Sequence, residues 1–229
     1  MFDIDGTLTP SRLPIDKDFE IFFKKWILNK KTYLVTGSDK EKTIEQIGTD
    51  LWKSVTKVYQ SCGNQVWEKG KLLKESNFYL SNSMQSKLDV FLQSSNWKEK
   101  FGNHIEQRVG LVNFSVIGRN CSQIKREEYY KWDKIHQERL KICNYLTENF
   151  PEIEASIGGQ ISIDIYKKGK NKAQVLDDIN GEIYFFGDKI DKGGNDYPIA
   201  NRLKKENRKH TLFKVKNPQE TWNFLKKIN

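Results

Sequence analysis

Short apolar runs alternate with segments of helical periodicity at both ends of this chain, and the alternation lapses in the middle. Phe19, Phe22, Phe23, Trp26 and Ile27 recur at helical spacing behind the acidic Asp16 and Asp18. A strand-like run from Thr32 to Val35 follows, then a helix from about Glu41 to Trp52, then a strand from Val55 to Tyr59. Strand–helix–strand order of this kind predicts a parallel α/β sheet. After Lys172 the pattern returns, with a helix over Ala173–Leu176, strands over Ile183–Phe186 and Thr211–Val215, and a closing helix over Pro218–Lys227.

The middle reads as α+β. A helix around Ser86–Phe91 precedes two strand-like runs, His104–Arg108 and Leu111–Ile117, separated by a turn at Val109-Gly110. A helix from Asp133 to Tyr145 and a strand from Gly159 to Ile165 complete it. The chain therefore leaves an α/β domain near residue 74 and re-enters it near residue 170.

With 229 residues, 37% of them hydrophobic and 12% aromatic, the chain can bury a core and is not disordered. The 39 Lys and Arg against 30 Asp and Glu give a formal charge of +9, which favours anionic partners; much of the lysine excess is equally a solvated face. Three cysteines, Cys62, Cys121 and Cys143, do not form a disulfide framework. No run approaches the roughly 20 apolar residues of a membrane span. Met1–Leu8 lacks the basic and apolar regions of a signal peptide, so a soluble, cytoplasmic protein is expected.

Four segments carry chemistry. In Phe2-Asp3-Ile4-Asp5-Gly6-Thr7, two carboxylates at a strand end before a glycine turn can converge on one cation. Magnesium takes hard oxygen ligands and shares them with phosphate. One carboxylate can attack phosphorus while the other acts as acid and base. Alone, the string is equally an ordinary loop. Thr36-Gly37-Ser38-Asp39 ends a strand and opens a helix, where a hydroxyl and backbone N–H groups hold phosphate, or where Ser38 simply caps the helix. Lys172 opens another helix and suits the charge of a transferring phosphoryl group, although singly it is one lysine among many. Phe185-Phe186-Gly187-Asp188-Lys189 ends a buried strand in an acid fit for the same metal, and Gly193-Gly194-Asn195-Asp196 follows. By itself this is a Gly-Asp turn and a flexible loop.

The order Asp-x-Asp, Ser, Lys, Gly-Asp, each at a strand end, resembles the haloacid dehalogenase (HAD) superfamily of phosphotransferases. The segment from Phe2 to Arg12 (FDIDGTLTPSR) is similar to the opening of the eukaryotic-type phosphomannomutases. So are Val112 to Gln123 (VNFSVIGRNCSQ), Gly158 to Asp164 (GGQISID) and Phe185 to Asp196. The resemblance implies a HAD-like Rossmannoid core over residues 1–75 and 170–229 and an inserted α+β cap over 76–169. It implies Asp3 as nucleophile, Asp5 as general acid/base, and Mg²⁺ held by Asp3, Asp188 and the main-chain oxygen of Asp5. Ser38 and Lys172 would hold the transferring phosphoryl group. Arg12, Arg108, Arg119, Arg126, Ser162 and Asp164 would bind substrate.

The cap residues suit that role. Strand periodicity sets Gln160, Ser162 and Asp164 on one face and Ile161, Ile163 and Ile165 on the other. The polar row can hydrogen-bond sugar hydroxyls, and the arginines can clamp phosphate. The implied reaction interconverts mannose 6-phosphate and mannose 1-phosphate through an aspartyl-phosphate and a hexose 1,6-bisphosphate, which also serves as activator. It would supply GDP-mannose synthesis, in a homodimer formed through the cap, with no specific nucleic acid and no membrane as partner. The rival readings are a sugar-phosphate phosphatase of the same superfamily and a non-catalytic basic binding protein on this fold. Two features depart from the family pattern. Only Met1 and Phe2 precede Asp3, which predicts a shortened first strand or a sequence beginning at an internal point. No further acid stands near Arg202, which puts a second cation site in that loop in doubt.

Overall fold

The computed structural model describes residues 1–228. They fall into two compact units, Met1–Glu75 together with the residues from Lys170 onward, and Ser76–Gly169.

In the first unit, the Asp16 carboxylate accepts from the backbone N–H of Asp18 and Phe19 and so starts α1 (Lys17–Trp26). β1 (Tyr33–Val35) leads to α2 (Lys40–Ser54). The residue that caps α2 is Asp39, whose side chain accepts from Lys42 N–H, and Ser38 lies just outside the helix. The helix is interrupted at Gly48, where φ is +74°. β2 (Lys57–Gln60), β3 (Gln65–Glu68) and β4 (Lys71–Glu75) close this stretch; the last two form a hairpin that the periodicity did not reveal.

The second unit opens with α3 (Asn82–Ser94), capped by Ser81, and the hairpin β5 (Ile105–Arg108) and β6 (Leu111–Phe114). The single helix expected over Asp133–Tyr145 is two helices, α4 (Gln123–His136) and α5 (Glu138–Asn149). Gln137, at φ +53°, breaks them apart, and the Asp133 carboxylate takes the Arg139 N–H of the new helix. A strand was expected to begin at Gly159. Instead β7 (Ile153–Gly158) turns through residues 159–161 into β8 (Ser162–Lys167). The four strands form an antiparallel sheet in the order β5-β6-β8-β7. Ile161, Ile163 and Ile165 are buried together with Leu88, Tyr129, Ile142 and Leu146, the apolar row that the sequence predicts.

The chain returns through a 3-10 helix at Lys172–Asp178 rather than an α-helix, capped by the Asn171 side chain. β9 (Ile183–Gly187), α6 (Tyr197–Lys205), β10 (His210–Lys214) and α7 (Pro218–Leu225) follow. β9 and β10 pair in parallel, as do β1 and β2. The first three residues join the two pairs. Phe2 makes parallel bridges to Leu34 and to Phe186. Phe2 N–H donates to Tyr33 O, and Asp3 N–H donates to Phe186 O. This short central segment leads directly into the Asp3 loop. Alternating side chains then cover both faces of the sheet. Phe2, Leu34 and Phe186 pack with Phe19, Phe23 and Leu51 on one face, whereas Val35 and Phe185 pack with Leu176, Ile199 and Leu203 on the other.

Candidate active site

Asp3 sits where the central segment ends, and it is 2% exposed. Lys172 is equally buried, and its Nζ lies 2.6 Å from Asp3 Oδ1 and 2.7 Å from Asp196 Oδ1. Asp188, beyond the end of β9, completes a group of three carboxylates whose oxygens lie within 4.8 Å of one another. Burial raises the Asp3 carboxyl to about 7, and the neighbouring Asp196 charge adds to the rise while Lys172 opposes it. Burial also raises Asp188. Burial by itself lowers the Lys172 ammonium, but the Asp196 and Asp3 carboxylates outweigh it and hold the group protonated.

This donor set suits a hard divalent cation. All three side chains offer carboxylate oxygens, and Asp188 Oδ1 is buried with no protein partner. Burial raises Asp3 and Asp188, and a cation beside them would favour their ionised forms. Gly6, at φ +81°, permits the close approach, because a Cβ there would stand 2.6 Å from Asp188 Oδ2.

The Asp5 carboxylate is not in that group. Its Oδ1 accepts from Arg12 N–H at 2.7 Å and from Gln46 Nε2 at 3.0 Å. The left-handed backbone of Arg12, φ +64°, delivers that N–H, and the residue itself is exposed. Ser38 lies in the loop after β1, where its N–H donates to Thr36 Oγ1 and its carbonyl accepts from Ser61 N–H. Asp196 is the residue of this cluster that sequence reasoning passed over. It was visible only as the end of a glycine-rich loop, and nothing local shows that the loop folds back so that Lys189 N–H donates to its carboxylate. At the position where a further acid was sought, Arg202 instead binds Asp177, Glu206 and the carbonyl of Ala173.

The second unit gathers its own polar set on β5, β6 and β8. Asn113 donates to Asp164 Oδ1 at 2.6 Å, and Arg119 Nη1 donates to Asn113 Oδ1 and to Ser162 Oγ. Glu106, which was not anticipated, pairs with both Arg108 and Arg119. Arg126 Nη2 donates to the Arg119 carbonyl at 2.7 Å. All five predicted residues of this unit thus lie in one connected region, with Gln160 at its margin, where it accepts from Gln123. Burial raises the Asp164 carboxyl, against the Asn113 hydrogen bond and the nearby arginines.

Comparison with known proteins decides the family. A family model described as eukaryotic phosphomannomutase matches residues 19–229. The phosphomannomutase of Galdieria sulphuraria is 36% identical over 209 residues, covering 87% of this chain and 83% of that protein. The chain belongs to the eukaryotic phosphomannomutase family. Phosphomannomutase 1 of Dictyostelium discoideum, 35% identical, aligns with 100% of this chain and 95% of its own length, so the likeness includes the Asp3 segment. The Saccharomyces cerevisiae phosphomannomutase is 37% identical over 87% of the chain and 83% of that protein. Phosphomannomutases are isomerases that move a phosphoryl group within a sugar phosphate, and the chain is an enzyme of this kind. The fold is that of HAD-like hydrolases. A HAD-like hydrolase from Bacteroides thetaiotaomicron superposes with a TM-score of 0.61 at 14% identity, over 100% of this chain and 98% of the other. The C-terminal domain of the C. albicans trehalose-6-phosphate phosphatase gives 0.60 at 13% identity, over 98% and 89%. Among the described residues, no helix is long and apolar enough to cross a membrane.

Proposed function

We propose that the protein interconverts mannose 6-phosphate and mannose 1-phosphate with Asp3 as the phosphate-accepting nucleophile. The observation that carries this reading is the buried Lys172 ammonium between Asp3 and Asp196, beside Asp188. An Asp3 oxygen attacks phosphorus, the bond from phosphorus to the donor oxygen breaks, and Asp5 supplies a proton to the departing oxygen. In the return step Asp5 removes the proton from the accepting sugar hydroxyl, whose oxygen attacks phosphorus as the bond from phosphorus to the Asp3 oxygen breaks, and the Asp3 carboxylate is restored. Lys172 offsets charge on the phosphoryl oxygens, aided by the Ser38 hydroxyl. Mg²⁺, held by Asp3, Asp188 and the main-chain oxygen of Asp5, with Asp196 close by, would supply electrostatic stabilisation of the phosphoryl group.

In this reading residues 1–75 and 170–229 form the catalytic domain and 76–169 the domain that selects substrate and dimerises. Arg108, Arg119, Arg126, Ser162 and Asp164 of that second domain bind the sugar and its second phosphate, and Arg12 is the substrate-binding arginine of the first. A hexose 1,6-bisphosphate is both intermediate and activator, and the product serves GDP-mannose synthesis in the cytoplasm. Exposed Ile124 and Ile135 on α4 and Leu140 on α5 are apolar groups that a dimer contact would cover.

The test is to incubate the protein with Mg²⁺, mannose 1-phosphate and a catalytic amount of hexose 1,6-bisphosphate, and to measure mannose 6-phosphate and free phosphate together. Mannose 6-phosphate in excess of phosphate is the expected result. Phosphate alone would establish a phosphatase, and neither product would remove the mutase reading.

A further inference from the structure

Gln46 lies on α2 and is 3% exposed, yet it touches the loop that carries the proposed acid/base. Its two amide hydrogens are both used. One goes to Asp5 Oδ1 at 3.0 Å and the other to Thr9 Oγ1 at 3.1 Å. Its main-chain carbonyl accepts from Ile15 N–H at 2.8 Å, which ties the loop after Asp5 back to α2. Turning the amide over would set its oxygen against the Asp5 carboxylate, so these contacts allow one orientation only.

That orientation carries a penalty. Gln46 Oε1 is buried and has no hydrogen-bond partner in the protein. A leucine or methionine would fill the same space without stranding an acceptor. The amide is therefore explained by what its N–H groups do, and the charged group they reach is Asp5. With Arg12 N–H on the same oxygen, Asp5 Oδ1 has two donors. Among the described residues none donates to Oδ2. The carboxylate is thereby held in one rotation, with Oδ1 occupied by the protein and Oδ2 left for proton exchange.

We propose that Gln46 is a positioning residue for the reaction, which orients Asp5 so that Oδ2 faces the departing oxygen. This rests on Asp5 acting as the acid/base, as in the mechanism above. It does not depend on the sugar.

Leaving-group dependence separates this role from packing. In phosphoryl transfer to Asp3 from phenyl phosphate, the new bond forms between an Asp3 oxygen and phosphorus, and the aryl oxygen takes the electron pair and accepts the Asp5 proton. From 4-nitrophenyl phosphate the same bonds form and break, but the aryl oxide departs as a stable anion with little need of a proton. First-turnover release of each phenol is measured for the wild type, Gln46→Leu and Gln46→Met, with Mg²⁺ present. Gln46→Met keeps nearly the length and volume of the side chain and loses both donors without adding a charge, so it guards against simple misfolding, which a thermal melt also monitors. The expected result is a loss of about tenfold with phenyl phosphate in both variants, the value of one hydrogen bond to a charged group, and a far smaller loss with 4-nitrophenyl phosphate. Equal losses on both substrates would reduce Gln46 to a structural role, and no loss on either would remove it from the reaction. Should the wild type turn over both aryl phosphates but no sugar phosphate, the mutase reading fails while the Gln46 comparison still stands.

Discussion

Asp3 must ionise to act, and its surroundings resist that. Its carboxyl is raised by burial and by Asp196 to about 7. A raised acid stabilises the folded state fully below its unfolded value, near 4, and the contribution is lost as pH rises through about 7. In chelator, the melting temperature should therefore fall between pH 5 and pH 8 in consequence of this site. Added Mg²⁺ should restore more at pH 8 than at pH 5, because it binds the ionised form. Asp3→Asn should abolish phosphoryl transfer, since an amide is not a competent nucleophile, and should flatten that pH dependence. A wild-type rate, or an unchanged pH profile of melting, would remove Asp3 from the centre of the site. In the second unit, Arg126→Ala should cut mutase turnover about 30-fold or more, the cost of removing one partner of a desolvated charged contact. Hydrolysis of acetyl phosphate should fall far less, because that molecule has no second phosphate; equal losses would show that Arg126 supports folding. Asp3, Asp5, Lys172 and Asp188 were legible as residues because each stands at a recognisable strand end or helix start. Asp196 and Gln46 were not, because their partners lie elsewhere in the sequence, at Lys172 and Asp5, and Glu106 was not, because its link to Arg119 forms only when the hairpin and the loop after it are folded together.

Among the elements, the break between α4 and α5 shows how one buried pair organises a surface. Arg139 and Asp133 are both nearly fully buried, and Arg139 Nε lies 2.7 Å from Asp133 Oδ2. The same guanidinium donates to the carbonyls of Gly159 and Ser162, so it anchors the turn that presents Ser162. Arg139→Ala would strand Asp133 in the core and leave that turn unheld. Urea titration should show a loss of about 3–5 kcal/mol, the range for breaking a buried pair by deleting one partner. A loss within the range of ordinary surface substitutions would show that the pair is dispensable. The range 133–145 reads as one helix because Gln137, unlike a glycine or proline, gives no sign of a break. It takes the left-handed Gln137 and the Asp133 cap to end one helix and start the next. The β3–β4 hairpin escaped for the opposite reason. β4 is exposed along its whole length, so it carries no alternation to read.

For the whole molecule, the +9 charge raises the alternative of a nucleic-acid binder. Binding to a random DNA duplex should be weak at physiological salt and should fall steeply as salt rises, since only counterion release would drive it. Tight binding without sugar-phosphate turnover would favour a binding protein over an enzyme. The sequence by itself determined the α/β class, the interruption near residues 74 and 170, and the order of the strand-end motifs, because periodicity and turn chemistry are local properties of the chain. The tertiary structure decided what those motifs meet. It set three residues between β1 and β9, so that a strand too short to show periodicity became the centre of the sheet. It placed Lys172 between Asp3 and Asp196, residues 169 and 24 positions away. Contacts of that separation leave no local pattern, because they form only when distant segments are packed together with water excluded, and the same packing raises the pKa of Asp3.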